Sequence, residues 1–216
     1  MISLNFKKRA ITSFLLLFLI YLIISFKLFL IYTLIVLGVL SILEFLNLSK
    51  KIIKNRFYKS LSNLLFMIYI FSFCFIFIFF SNFLQLKIIL FSLLLGCAAS
   101  DIGGFIFGKL FKGPKLTKIS PNKTIAGSIG SLIFTIFTIV GSIFYFTETF
   151  DYIFCFIGLI TSLACQLGDL FFSFLKRKAD VKDTGNFFPG HGGALDRLDG
   201  IFLGLPAGYI SLILLF

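Results

Sequence analysis

The sequence predicts an all-α, polytopic integral membrane protein with about seven transmembrane helices. Of its 216 residues, 59% are apolar and only 13% are charged, and the mean hydropathy is +1.07. A soluble domain of this size would need far more polar surface. The apolar residues also occur in runs of about 20, which is the length that a helix needs to cross a bilayer.

Seven apolar runs are predicted to be membrane spans. They cover residues 10–26, 28–48, 61–80, 83–101 and 125–146, a sixth run that begins at residue 152, and residues 200–216. The first run follows Lys7, Lys8 and Arg9, as in a signal peptide. It is long, lacks an A-x-A site and is followed at once by the second run, which favours a retained span. Pro206 in the last run predicts a kink rather than a helix end. We expect a single transmembrane domain, residues 1–216.

The basic residues predict which side of the membrane each loop faces. The N-terminus and the loops 49–60, 108–124 and 176–199 hold 18 of the 20 Lys and Arg residues, and only Lys27 and Lys87 lie elsewhere. By the positive-inside rule, the N-terminus and these three loops are cytoplasmic. The net charge of +11 is therefore interpreted as topology and attraction for phosphates, and not as nucleic-acid binding.

Two polar segments, residues 101–127 and 166–200, reach the cytoplasmic side in this topology, and the second holds five of the nine acidic residues. In the first segment, Asp101 at membrane depth would be costly unless it is paired or bound to an ion, which makes it a functional candidate. The stretch S-P-N-K-T, residues 120–124, is a loop rich in hydrogen-bond donors. Outside both segments, Glu44 near the inner end of the second span is interpreted as a satisfied or snorkelling carboxylate and not as a catalytic one.

The second polar segment places carboxylates at helical spacing. Asp169 and Ser173 are four residues apart, so they share one face of a helix that is expected to end after Arg177. A turn-rich loop follows, and Asp196 and Asp199 then lie three apart on the next helix. Carboxylates among Lys and Arg residues indicate a hard cation such as Mg²⁺ that bridges to phosphates.

These segments resemble a known family. The run from Ser173 to Asp199 reads SFLKRKADVKDTGNFFPGHGGALDRLD, and the first segment contains D-x-x-x-F-x-x-G-K followed by S-P-x-K-T. Both motifs are similar to those of the phosphatidate cytidylyltransferases, the CDP-diacylglycerol synthases. Three residues depart from the family pattern. Ala194 stands where a larger aliphatic residue is usual, Phe105 where Tyr is usual, and Ala126 where Glu is usual.

The resemblance implies that CTP and phosphatidate react to give CDP-diacylglycerol and diphosphate. It implies a catalytic part at about residues 83–216, Mg²⁺ with a second cation such as K⁺ as an option, membrane lipids as partners, a homodimer, and a bacterial-type inner membrane. The expected metal ligands are Asp169, Asp196, Asp199 and Ser173. The expected phosphate and nucleotide contacts are Lys176, Arg177, Lys182, Arg197, Lys123, Thr124, Asp101 and, by family analogy, Asp183.

His191 is the only histidine, and its role is left open. It could protonate the leaving diphosphate or contact the nucleotide as a catalytic residue. Within Pro-Gly-His-Gly-Gly it could equally shape the loop through hydrogen bonds. A metal-ligand role is disfavoured, because clustered carboxylates prefer an oxygen-binding ion.

Other functions explain the sequence less well. A CTP-dependent lipid kinase of the polyprenol or phytol type would transfer the γ-phosphate to a neutral hydroxyl and would need a base. A transporter would carry polar residues along several spans, whereas here they cluster at one face. A purely structural membrane protein would leave the motifs unexplained.

The predicted topology can be tested with reporters or engineered cysteines at residues 55, 115 and 185. We expect all three positions to be cytoplasmic, because they lie in the basic loops, and the C-terminus to lie on the opposite side. Labelling of any of these positions from the outer face would contradict a single site at the cytoplasmic face.

Overall fold

A computed structural model describes residues 22–215, apart from residues 24, 118–119, 121–122, 186 and 188–191. Within these ranges the regular structure is helical, and isolated bridge residues occur in the loops, among them the antiparallel pair Lys115 and Thr124. In the described part of the chain, six helices are long and apolar enough to cross a membrane. The all-helical, polytopic fold predicted from the sequence is therefore confirmed. Residues 10–21 of the predicted first span lie outside the described part of the chain.

Three of the connections between consecutive helices are short, residues 53–55, 81–83 and 148–152, and two are longer, residues 112–124 and 179–194. Consecutive membrane-crossing helices run in opposite directions. They are α1 Lys27–Ile52, α2 Arg56–Phe80, α3 Leu84–Phe111, α4 Ile125–Thr147, α5 Ile153–Lys178 and α6 Leu195–Leu215. Helix α5 ends one residue after the position expected from the sequence. Helix α6 continues through Pro206 and does not end there, as predicted.

The connection predicted at residues 49–60 is much shorter than expected. Only residues 53–55 lie outside α1 and α2, because α1 extends to Ile52 and α2 already begins at Arg56. The side chain of Asn55 caps α2 by accepting a hydrogen bond from the Phe57 N–H at 2.9 Å. The basic residues predicted to lie in a loop are therefore mostly on the ends of the two helices.

Helices α3 and α4 approach each other closely through glycines. A Cβ atom on Gly103 would lie 2.5 Å from the carbonyl oxygen of Gly130, which is a distance that no side chain could occupy. Next to this contact, the Ser131 hydroxyl donates to the Ser100 carbonyl oxygen at 2.7 Å. Small residues and interhelical hydrogen bonds are what hold helices together in lipid, where apolar burial gives little advantage.

An aromatic cluster packs beneath the polar end of the bundle. The Phe202 ring of α6 contacts the rings of Phe66, Tyr69 and Phe73 of α2 and Phe172 of α5, with centroids 5.3–6.5 Å apart. The Tyr69 hydroxyl also donates a hydrogen bond to the Phe202 carbonyl oxygen. This packing fixes α6 one turn away from Asp199, so the polar end rests on an ordered apolar layer.

Candidate active site

The polar residues of both segments meet at one end of the bundle. The C-terminal parts of α1, α3 and α5 reach this end, and α4 and α6 begin there. The described ends of two connections, residues 112–124 and 179–194, lie at the same end. The two polar segments predicted from the sequence are therefore brought together by the alternating direction of the helices.

The direct link between the two segments is an ion pair. Lys123 Nζ lies 2.7 Å from Asp169 Oδ2, and the two side chains are 31% and 16% exposed. The backbone around Lys123 is held by a hydrogen bond from the Leu116 N–H to the Lys123 carbonyl oxygen at 2.8 Å. The next residue, Thr124, caps α4 by accepting from the Gly127 N–H at 3.1 Å. These two bonds fix the backbone position from which the Lys123 side chain extends.

A second lysine joins the two carboxylates of α6. Lys176 Nζ on α5 lies 2.8 Å from Asp196 Oδ1 and 3.8 Å from Asp199 Oδ2. The Lys176 side chain is 14% exposed, and those of Asp196 and Asp199 are 7% and 17% exposed. Ion pairs as buried as these are costly to break, because a lone charge would remain. Lys176 therefore fixes the start of α6 against the end of α5.

Asp196 also organises the loop before α6. Its Oδ2 atom accepts hydrogen bonds from the Thr184 N–H at 2.8 Å and the Gly193 N–H at 3.0 Å. Gly192 has φ of +82°, in the left-handed region that favours glycine. A Cβ atom on Gly192 would lie 2.9 Å from Asp196 Oδ2. Both oxygens of Asp196 are thus engaged by protein donors, and the loop passes close over them.

Asp169 and Asp199 face each other where α5 crosses α6. A Cβ atom on Gly168 would lie 2.5 Å from the Asp199 carbonyl oxygen, and one on Gly200 would lie 2.8 Å from Asp169 Oδ1. Because Gly168 and Gly200 have no side chains, the two backbones approach closely enough for the carboxyl groups of Asp169 and Asp199 to interact. Asp101 of α3 is in electrostatic range of Asp169 as well. Three carboxyl groups from three helices therefore share one region.

The remaining predicted residues lie around this centre. Arg197 is in electrostatic range of Asp101, Ser173 lies half-buried one turn beyond Asp169 on α5, and Thr124 uses its hydroxyl in the α4 cap. Three others, Arg177, Lys182 and Asp183, are exposed. His191 lies outside the described residues.

Sequence reasoning missed the part that Glu44 plays. Glu44 of α1 is buried, and it accepts hydrogen bonds from the Thr184 hydroxyl at 2.6 Å and from the Ala194 and Leu195 N–H groups at 2.9 Å each. Its interpretation as a satisfied carboxylate is confirmed, but its partners lie 140 or more residues away. The available signal was a lone acidic residue inside an apolar span, which is a functional candidate by default.

The donor chemistry fits Mg²⁺. In the part of the chain that the structure describes, no three Asp, Glu, His or Cys side chains form a complete metal cluster. Mg²⁺ is usually held by only one or two carboxylates together with substrate phosphates and water, so a complete cluster is not required. Asp169 and Asp199 supply carboxylate oxygens on adjacent helices, and the Lys123 ammonium group stands beside Asp169 where a cation is favourable. An ammonium group such as that of Lys123 also binds phosphate groups well.

Comparison with known proteins gives consistent matches. The cytidylyltransferase family model matches residues 1–215. The chain is similar to a phosphatidate cytidylyltransferase of Mycobacterium leprae, with 41% identity over 123 residues that cover 56% of this chain and 38% of that protein. A phosphatidate cytidylyltransferase of Helicobacter pylori is 39% identical over 114 residues, which cover 52% of this chain and 42% of that protein. A phosphatidate cytidylyltransferase of Staphylococcus haemolyticus is 42% identical over 116 residues, which cover 53% and 45%. The chain spans less than half of the length of these relatives.

Proposed function

This chain belongs to the cytidylyltransferase family, and from this premise we propose that it is a phosphatidate cytidylyltransferase. CTP and phosphatidate are the proposed substrates, and CDP-diacylglycerol and diphosphate the products. The observation that carries the proposal is the meeting of both polar segments through the Lys123–Asp169 ion pair. A site that joins two phosphate-bearing substrates needs positioned cations, and this arrangement brings Lys123 to the segment that holds Lys176.

The proposed reaction is a substitution at the α-phosphorus of CTP. A phosphate oxygen of phosphatidate forms the new P–O bond, and the bond from the α-phosphorus to the bridging oxygen breaks, so that diphosphate leaves with the electron pair. The nucleophile is already an anion near neutral pH and needs no strong base. What limits the rate is the charge that builds up when two anions meet, which positioned cations stabilise.

The cationic side chains divide into two groups in this proposal. Lys123 and Lys176 are bound to carboxylates, so they hold the site in shape and can share their charge with a phosphate. Arg177 and Lys182 are exposed, and we assign them with Arg197 to phosphate groups of the two substrates. Asp101, Thr124 and Asp183 are kept as proposed nucleotide contacts, and His191 as a proposed catalytic residue.

Mg²⁺ is the proposed cofactor, with a second cation such as K⁺ as an option. Asp169 and Asp199 would hold it, and Asp196 and Ser173 remain proposed ligands. When bound, the ion supplies positive charge at the phosphates of CTP. The protein side chains orient that region, because Lys176 keeps Asp196 and Asp199 at fixed positions and Gly168 lets α5 approach α6.

We also propose where the protein acts. The six apolar helices indicate a multi-pass membrane protein. A bacterial-type inner membrane, a cytoplasmic N-terminus and a site open to the cytoplasm are the finer parts of the proposal, supported by the distribution of basic residues. A homodimer and contacts with membrane lipids complete it.

The proposed activity is tested with purified chain in detergent, Mg²⁺ and CTP labelled at either the α- or the γ-phosphate. Phosphatidate and a polyprenol are offered separately as acceptors, and a reaction without lipid is the blank. The α-label is expected to enter the lipid only with phosphatidate. Transfer of the γ-label to the polyprenol would show a lipid kinase instead, and absence of transfer to either lipid would also refute the proposal.

The shared-metal proposal predicts a pattern among three variants. Asp169→Asn and Asp196→Asn should each lower kcat/KM by roughly 10² to 10³, because electrostatic stabilisation of this kind is worth about 3 to 4 kcal/mol. The double variant should be little worse than either single variant, since residues that act as a unit are not additive. Initial rates of CDP-diacylglycerol synthesis measure both effects.

Asp180→Asn is the matched control for these variants. Asp180 is exposed and has φ of 56°, a conformation that Asn adopts readily, so its activity should equal that of the wild type. Substantial Mg²⁺-dependent synthesis by Asp169→Asn or Asp196→Asn would contradict the shared-metal assignment.

A further inference from the structure

We propose that Glu44 is a positioning residue for CTP binding, which holds the described ends of the signature loop, residues 179–185 and 192–194, in the arrangement that binds CTP. This inference rests on the proposed function, because the loop precedes the carboxylates of α6. It extends the site to α1, which lies outside both polar segments. Glu44 acts through the loop and needs no contact with a substrate.

Glu44 binds the two ends of the loop at once. Its Oε2 atom accepts from the Thr184 hydroxyl at 2.6 Å and from the Leu195 N–H at 2.9 Å, and Oε1 accepts from the Ala194 N–H at 2.9 Å. Ala194 and Leu195 are fully buried and form the start of α6. One carboxylate therefore satisfies free N–H groups at a helix N-terminus and also ties down a residue ten positions earlier.

The same loop residues are held from the other side by Asp196. Thr184 gives its hydroxyl to Glu44 and its backbone N–H to Asp196 Oδ2 at 2.8 Å. Gly193 donates its N–H to Asp196 Oδ2 at 3.0 Å, and a Cβ atom on Gly193 would lie only 2.3 Å from Glu44 Oε2. Thr184 and Gly193 thus lie between two carboxylates. Removing Glu44 would leave Thr184 with its backbone bond to Asp196 and without its side-chain bond to a carboxylate.

The physical setting makes this contact selective for the loop. Glu44 is 7% exposed, and a buried carboxylate is tolerated only with good partners. In the described part of the chain, its hydrogen-bond donors belong to the loop or to the first residue of α6. A negative charge at that helix end is favoured by the helix dipole.

The test compares Glu44→Gln with the wild type in the full chain. The isosteric change leaves one acceptor oxygen and replaces the other with an NH₂ group. In either orientation of the amide, an N–H of the α6 start loses its acceptor. Since the binding-competent loop is then less populated, KM for CTP should rise about tenfold or more, and kcat should change less than KM. Hydrogen exchange of the Ala194 and Leu195 amides should become faster, with the amides beyond residue 200 unchanged.

Two further variants make the result specific. Thr184→Val removes only the hydroxyl donor. Its effect on KM should be smaller in a chain that already carries Glu44→Gln than in the wild type, because the two side chains share one contact. Ser49→Ala is the matched control. Ser49 is a buried polar residue of α1 whose hydroxyl donates to the Leu46 carbonyl oxygen of the same helix at 2.9 Å, so both KM and exchange should stay at wild-type values.

Unchanged exchange at residues 194 and 195 in Glu44→Gln would overturn the inference, as would a fall in kcat with KM unchanged, which indicates direct catalysis. Faster exchange along the whole of α6 would overturn it too, since Glu44 would then support the helix and not the loop. Exchange is measured without substrate. A wild-type chain without transferase activity would therefore refute the proposed function, while the exchange data would still decide whether Glu44 holds the loop.

Discussion

The polar end of this bundle depends on lysines placed between carboxylates. Lys123 lies 2.7 Å from Asp169, and Lys176 lies between Asp196 and Asp199. The tight crossing of α5 and α6 at Gly168 brings Asp169 close to Asp199, and the two ammonium groups offset the repulsion between the carboxylates. This arrangement of charges suits phosphate chemistry. A carboxylate that is paired with a lysine can bind a metal ion instead, and the lysine can then bind a phosphate.

The fold could be predicted well from the sequence, since span length and the basic loops depend on local composition. The helix ends could not be predicted as well. Helix α2 begins at Arg56 because Asn55 caps it, and α1 extends to Ile52, so the loop expected at residues 49–60 shrank to three residues. Caps are single hydrogen bonds, and hydropathy does not reveal which of several polar residues will make one.

The site was partly predictable for a related reason. Helical spacing places Asp169 and Ser173 on one face, and topology brings Lys123 to the same end as Asp169. Glu44 was missed as an anchor because its partners, Thr184 and Leu195, are separated from it by 140 and 151 positions, and no local pattern records such contacts. The metal-ligand role of Asp196 remains a prediction, since both its oxygens accept hydrogen bonds from the protein.

The central claim is that the two polar segments form one site through Lys123 and Asp169. A double-mutant cycle of Lys123→Met and Asp169→Asn tests it most directly, with the affinity for Mg²⁺ and CTP measured by calorimetry. The account predicts that each single variant binds about tenfold more weakly or worse. The double variant is expected to have the same affinity as the single variant that binds more weakly. Losses of binding free energy that simply add would show that the two residues act independently and would contradict a single site.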